Sequence, residues 1–205
     1  MTELRVNNFS ISLDGYGAGR DQSVDNPLGV GGERLHEWLF PPEGERTAVD
    51  QSFYTAGVQD IGATIMGRNM FGPIRGDWGD ERWAGWWGED PPFHHDVFVL
   101  THHPHEPIPM AGGTTFHFVT DGIEAALDRA REAAGGAHVR LGGGVATVQE
   151  YLRAGLVDDM HVAIAPVLLG GGERLFDGLG DALDGWGCVA FTPSAAAAHV
   201  RLRRL

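Results

Sequence analysis

The stretch from Val139 to Gly172 constrains this chain most, because it spells strand, glycine turn, helix, strand and glycine loop without a break. Ala137 to Leu141 is a short β-competent run, and Gly142, Gly143 and Gly144 after it let the backbone turn sharply and approach a ligand closely. Val145 to Ala154 predicts a helix with Val148, Tyr151 and Leu152 on one apolar face, and Gly155 supplies a left-handed stop. Met160 to Leu169 is almost wholly apolar, as expected of a central strand covered on both faces. Two readings fit the glycine turn. Unpaired N–H groups and the positive end of the dipole make a helix start receptive to phosphate, and glycines allow a diphosphate to lie against the backbone. Close packing of helix on strand needs glycine just as well, and the run is not the spaced G-x-G-x-x-G fingerprint.

A chain of 205 residues suits a single α/β domain with a sizeable core. Its formal charge of −13 repels a nucleic-acid backbone or an anionic membrane, so an anionic ligand must be held by local donors. Cys188 is the only cysteine, which rules out an internal disulfide and any cysteine-based metal cluster. The first fifteen residues lack a basic stretch followed by an apolar block, and no long apolar run occurs, so a soluble cytoplasmic protein is expected.

In chain order, Leu4 to Leu13 predicts a first strand, and Asp14 to Asn26 a mobile polar loop. Glu33 to Phe40 predicts a short amphipathic helix with Leu35, Trp38 and Leu39 on one side, ended by Pro41-Pro42. Gln51 to Gly62 predicts a second helix with Asp50 as its cap, and Gly62 to Met66 a buried strand running into Gly67-Arg68-Asn69. An arginine there either binds phosphate through its fork of donors or is simply solvated. Trp78, Trp83, Trp86 and Trp87 crowd the glycine-rich segment from Gly72 to Pro92 and must meet a core, another subunit or a flat ligand. Val97 to Leu100 and Thr115 to Val119 predict strands, with Thr101-His102-His103 at the end of the first and Asp121 capping a helix from Gly122 to Ala134. Glu173 to Phe176 leaves the glycine loop, and Trp186 to Phe191 with Ala196 to Leu205 predicts an antiparallel pair at a sheet edge. The pattern predicts a mixed, mostly parallel sheet of about eight strands with helices on both faces.

Five histidines, His94, His95, His102, His103 and His105, flank one strand, but without the carboxylate or thiolate spacing of a metal centre, and no metal is expected. Neither a G-x-S-x-G elbow, a Walker loop with lysine, nor an H-E-x-x-H helix is present. Three strand ends, at Gly67-Arg68, Thr101-His102 and Gly142 to Gly144, each offer donors suited to phosphate, and in a parallel α/β sheet such ends gather along one edge.

The order and spacing of Ser12-Leu13-Asp14-Gly15, Met66-Gly67-Arg68, Gly142-Gly143-Gly144 and the run from Gly155 through Gly170 resemble the dihydrofolate reductase-like proteins. That family includes the C-terminal reductase domain of the riboflavin-biosynthesis deaminase-reductase. The resemblance covers nearly the whole chain, residues 1–205 as one domain, and implies a three-layer α/β/α fold, NADPH as hydride donor, and a homodimer. It assigns Gly142, Gly143, Gly144, Val145 and Ala146 to the diphosphate. Gly67, Arg68 and Asn69 fall on the adenosine phosphate side, with Thr101 and His102 toward the 2′-phosphate, and the loop with Gly17 and Ala18 lies along the nicotinamide. Asp14 is the candidate polar group near the reacting carbon, although capping the tight turn with Gly15 is its other role. Glu33 is a positional candidate for the acid that holds the pterin in dihydrofolate reductases proper, and Trp78 a candidate substrate wall. A longer loop before Phe40 departs from those enzymes. The expected activity is NADPH-dependent reduction of a small heterocyclic or carbonyl or imine substrate. The rivals are the pyrimidine reductase step of riboflavin synthesis and a non-catalytic NADP-binding protein.

Overall fold

In the computed structural model, which describes residues 2–73, 76–79 and 83–205, nine of the described strands share one sheet. At its centre lies β1 (Leu4–Ser12), with β7 (His138–Gly143) and β8 (Asp159–Ala165) parallel to it on either side. Beyond β7 follow β3 (Ile61–Gly67), β4 (Asp96–Leu100) and β6 (Thr115–Val119), all parallel, and then the short antiparallel edge β5 (Ile108–Pro109). Beyond β8 come β11 (Ala198–Arg204) and the edge strand β10 (Trp186–Pro193), both antiparallel to their neighbours. A separate two-strand ribbon pairs β2 (Tyr16–Ala18) with β9 (Glu173–Arg174).

Helices cover both faces. On one, α3 (Ile123–Ala133) and α4 (Val145–Arg153) bury Ala126, Leu127, Val148, Tyr151 and Leu152 against Leu4, Val6 and Val139, and the Tyr151 hydroxyl ties the two helices by donating to the Ile123 carbonyl at 2.7 Å. On the other lies α1 (Ala48–Val58), where Phe53 and Tyr54 pack with Trp38, Leu39 and Ala163. The three-layer α/β/α arrangement therefore follows from the alternating order of the elements, as expected.

Several local expectations are corrected. The cap of α1 is Thr47, whose hydroxyl accepts from the Asp50 N–H at 3.2 Å, and the helix runs from Ala48 to Val58. Asp121 caps nothing. The N-cap of α3 is Gly122, which makes no side-chain cap, while Asp121 pairs with Arg129. The segment from Glu33 to Phe40 forms a 3-10 helix only over Gly32–His36, yet Leu35, Trp38 and Leu39 are buried as its pattern requires. The apolar run after Asp159 leaves the sheet at Ala165, because the Leu13 N–H pairs with the Val167 carbonyl outside the ladder and Leu168 is 70% exposed. The polar loop after β1 contains β2, held by pairing with β9. Of the segment from Gly72 to Pro92, Ile74, Arg75, Asp80, Glu81 and Arg82 lie outside the described residues.

Between α1 and the sheet runs a buried polar chain. The Asn8 N–H faces His161 Nδ1 at 3.3 Å, His161 Nε2 faces His199 Nδ1 at 3.0 Å, and His199 Nε2 faces Asp50 Oδ1 at 2.8 Å. Burial would raise the Asp50 carboxyl, but hydrogen bonds from Thr47, Ser194 and His199 together hold it below its ordinary range. With Asp50 ionised, the His199 Nε2–H donates to the carboxylate, and the Asn8 side-chain oxygen also lies 3.2 Å from His161 Nδ1. The chain serves a bulge in β1, where the register shifts between Val6 and Phe9 and Asn8 takes φ 57. Asn8 has no ladder partner there, and His161 satisfies its N–H instead.

Burial, with His199 and Arg201 nearby, pushes the His161 imidazole from 6.5 down to about 3. Between those values the unfolded chain binds a proton that the folded one refuses. This contribution to stability is complete above pH 6.5 and is lost as pH falls toward 3, at up to about 1.4 kcal/mol per pH unit. Chemical denaturation at a series of pH values is expected to show that slope below pH 6.5, and its absence in His161→Phe identifies the source.

Candidate functional site

The ends of the parallel strands build two cavities that share a wall. At the end of β3 the chain turns into the single-turn helix α2 (Arg68–Phe71) through Gly67, where a Cβ would lie 2.2 Å from the Thr147 hydroxyl on α4. At the end of β7, Gly143 adopts φ 135, a region that strains any side chain, and a cis peptide joins it to Gly144. Gly144 is the N-cap of α4 and no side chain caps that helix, so its leading N–H groups are left for solvent or a ligand.

The smaller cavity, of about 340 Å³, is lined by Gly67, Arg68 and Asn69, by Thr101 and His102, and by Gly144, Val145 and Ala146. These three groups come from the ends of β3, β4 and β7, so the structure brings to one rim the segments that the sequence places far apart. Arg68 Nη1 donates to the Thr101 hydroxyl at 3.4 Å, and the guanidinium lies 3.7 Å over the Trp78 ring. His103, also on this wall, holds Asp77 at 2.8 Å.

The larger cavity, of about 750 Å³, is lined by Gly17 and Ala18 and by all three glycines from Gly142 to Gly144. Gly17 is required because a Cβ would meet Val145 Cγ2 at 2.7 Å and the Phe9 ring at 2.9 Å, so β2 can lie across the mouth of β7 only with no side chain there. Asn8, Ser10, Glu33, His36 and Glu37 supply polar lining, and Phe9, Leu28, Phe40, Met70, Trp86 and Trp87 supply the apolar part. Burial lowers the His36 imidazole below its ordinary range. Asn69, Gly144, Val145 and Glu173 line both cavities, so the two adjoin along these residues.

Two sequence candidates lie elsewhere. Asp14 borders neither cavity. It accepts from the Ser12 hydroxyl at 2.6 Å and from the Leu169 and Gly170 N–H groups at 3.1 and 2.8 Å. Those hydrogen bonds, the one from Ser12 foremost, hold its carboxyl down at about 2 and tie the turn to the glycine loop. Trp78 is not in the wall of the larger cavity. Its indole donates to the His103 carbonyl at 3.0 Å and packs on Phe71 and Phe118, behind Arg68. The flat aromatic lining comes from Trp86 and Trp87 instead. Sequence reasoning also passed over Asn8, Ser10, His36, Glu37 and Glu173. Only the paired asparagines inside an apolar strand, Asn7 and Asn8, gave a signal that could have found one of them.

The flanking histidines diverge. His95 Nε2 sits 2.8 Å from the Thr64 hydroxyl, His94 faces the Gly112 carbonyl, and His105 lies against Trp78. Burial pushes His95 down to about 4.

The sequence matches the RibD C-terminal domain over residues 6–194. The chain belongs to the RibD C-terminal domain family. No curated protein matches it significantly. Among solved structures, a protein assigned to riboflavin biosynthesis from Shewanella sp. PV-4 is similar, with TM-score 0.63 and 22% identity, covering 100% of this chain and 99% of that one. A dihydrofolate reductase from Enterococcus faecalis complexed with NADP(H) and RAB-propyl has TM-score 0.55 and 16% identity, covering 98% and 96%. At these identities the likeness establishes a shared fold. In this RibD C-terminal fold the cleft crosses the carboxyl ends of the parallel strands, where open α/β sheets place their ligands. Among the described residues, no helix is long and apolar enough to cross a membrane, and no group of His, Cys, Asp and Glu is arranged to hold a metal ion.

Proposed function

We propose that the protein is an NADPH-dependent reductase that delivers a hydride to a small, flat heterocycle or a carbonyl or imine carbon. The shared wall carries this reading, since a single extended ligand can lie along Asn69, Gly144 and Val145 with one end in each cavity. The residues fit such a cofactor. The open start of α4 and the side-chain-free Gly143 and Gly144 suit a diphosphate, and Arg68, Thr101 and His102 suit a phosphate monoester on the adenosine ribose. Gly17, Ala18 and Gly142 then border the nicotinamide in the larger cavity, beside Asn8, Ser10 and Glu33. When bound, the cofactor supplies the hydride and the protein needs no nucleophile of its own. What the chain contributes is placement: aromatic walls at Phe40, Trp86 and Trp87 hold a flat substrate and exclude water, and Glu33, Glu37 and the neutral His36 fix its polar edge. The proton then comes from that polar edge or from water.

Titration with NADPH and NADH tests the reading. Enhanced nicotinamide fluorescence and a thermal shift with NADPH are expected, and neither signal with either cofactor would remove it. Binding with no oxidation of NADPH across a panel of candidate substrates would favour a non-catalytic binding protein. The second reading, the pyrimidine reductase of riboflavin biosynthesis, is favoured by the family itself. It calls for a sugar phosphate site, yet the described lining of the larger cavity contains no Lys or Arg. Faster turnover of a ribosylaminopyrimidinone carrying a 5′-phosphate than of its dephosphorylated form would decide for it.

A further inference from the structure

Ser10, on β1, lines the larger cavity although it is only 4% exposed. Its Oγ receives the Trp38 indole N–H at 2.9 Å. An indole N–H can only donate, so the serine oxygen is the acceptor of that pair and the serine keeps its own hydroxyl proton to give. Among the described residues, no acceptor takes that proton. The neighbouring polar groups are already engaged: the Asn8 Nδ2–H donates to the Tyr54 carbonyl at 3.4 Å, and His161 Nε2 faces His199 Nδ1 at 3.0 Å. Trp38 is buried behind Ser10 and outside the cavity wall, and it meets the His199 and His161 rings edge-on at 4.9 and 5.8 Å between ring centres. Ser10 itself is held in the sheet opposite Ala163 of β8, so both members of the pair are fixed.

A hydroxyl whose oxygen accepts one hydrogen bond is polarised toward donating another, and a buried donor left unmet is costly. A ligand that brings an acceptor to this point of the cavity removes that cost, whereas one that brings a C–H there leaves the donor stranded. We propose that Ser10 selects the substrate: its hydroxyl, oriented by Trp38, donates a hydrogen bond to a carbonyl oxygen or a ring nitrogen of a flat heterocycle in the larger cavity. Trp38 acts through Ser10 and is a positioning residue. The proposal rests on the reductase reading above and narrows its substrate class to molecules that carry such an acceptor.

The test measures dissociation constants of the wild-type chain, Ser10→Ala and Ser10→Cys for two bicycles of the same shape, neutral isoquinoline, whose ring nitrogen accepts, and naphthalene, which has no acceptor. For Ser10→Ala, affinity for isoquinoline is expected to fall roughly fivefold to tenfold while naphthalene changes less than about twofold. Ser10→Cys keeps the size of the side chain but donates weakly, so a loss of roughly threefold, again confined to isoquinoline, is expected. If the alanine variant does not fold, because it strands the Trp38 N–H, the cysteine variant decides alone. In wild-type protein isotopically labelled at tryptophan, the Trp38 indole N–H resonance is expected to move further downfield with isoquinoline than with naphthalene, since the serine oxygen becomes a better acceptor once its own proton is donated. Equal losses for the two bicycles, no loss in either variant, or wild-type protein that binds neither of them would overturn the proposal and leave the reductase reading standing. NADPH is titrated alongside: wild-type protein that takes isoquinoline as expected but no NADPH would remove the reading beneath the proposal, and the substrate role with it.

Discussion

Arg68→Ala is expected to weaken NADPH by about tenfold to a hundredfold while leaving NADH within a factor of about two, measured as dissociation constants by nicotinamide fluorescence. The asymmetry follows from position. Arg68 lies in the smaller cavity with Thr101 and His102 and does not border the larger one, so under the proposed placement its loss removes donors to the ribose phosphate without disturbing the groups beside the nicotinamide. Gly144, which faces both cavities, has no such selectivity. Comparable losses for the two cofactors in Arg68→Ala would mean that the guanidinium contacts the diphosphate they have in common.

The other large effect falls on stability. Asp50→Ala is expected to cost about 3 kcal/mol, seen as a fall in Tm of roughly 6–12 °C, because it strands the His199 Nε2–H in a fully buried site and also takes away the acceptor of the Thr47 hydroxyl. Thr47→Ala, which removes only the helix cap, should cost about 1 kcal/mol. The double replacement Asp50→Leu with His199→Phe should recover only part of the loss, since it removes that pair but leaves His161 Nε2 and the Thr47 hydroxyl without their partners. A drop for Asp50→Ala no larger than that for Thr47→Ala would show that the two imidazoles find another acceptor.

The fold was legible where the chemistry of the backbone is local. The β7–α4–β8 unit could be read because glycines punctuate it and its helix shows an apolar stripe, and the C-terminal hairpin because Pro193-Ser194 separates two β-competent runs. The short pieces escaped. β2, β5 and β9 contain two or three residues each, too few for any period, and they exist because a partner strand lies alongside. The smaller cavity, where the cofactor is proposed to lie, was legible because backbone turns build it, and turns leave marks in sequence such as Gly67 and Gly142 to Gly144. The larger cavity was not. Asn8 reaches it through a bulge, and His36 and Glu37 through a 3-10 turn whose pattern looked like an ordinary helix. Asp50 misled for a related reason: an acidic residue at a helix start reads as a cap, whereas here its carboxylate answers to His199, 149 positions away in the chain.

The ribbon of β2 and β9 has a mechanical implication. Ala18 on one strand borders the larger cavity, Glu173 on the other borders both, and their backbones are paired across the seam between the compartments. Displacing either strand would break that pairing or carry its partner along, so the two chambers are tied together through the backbone as well as through shared side chains.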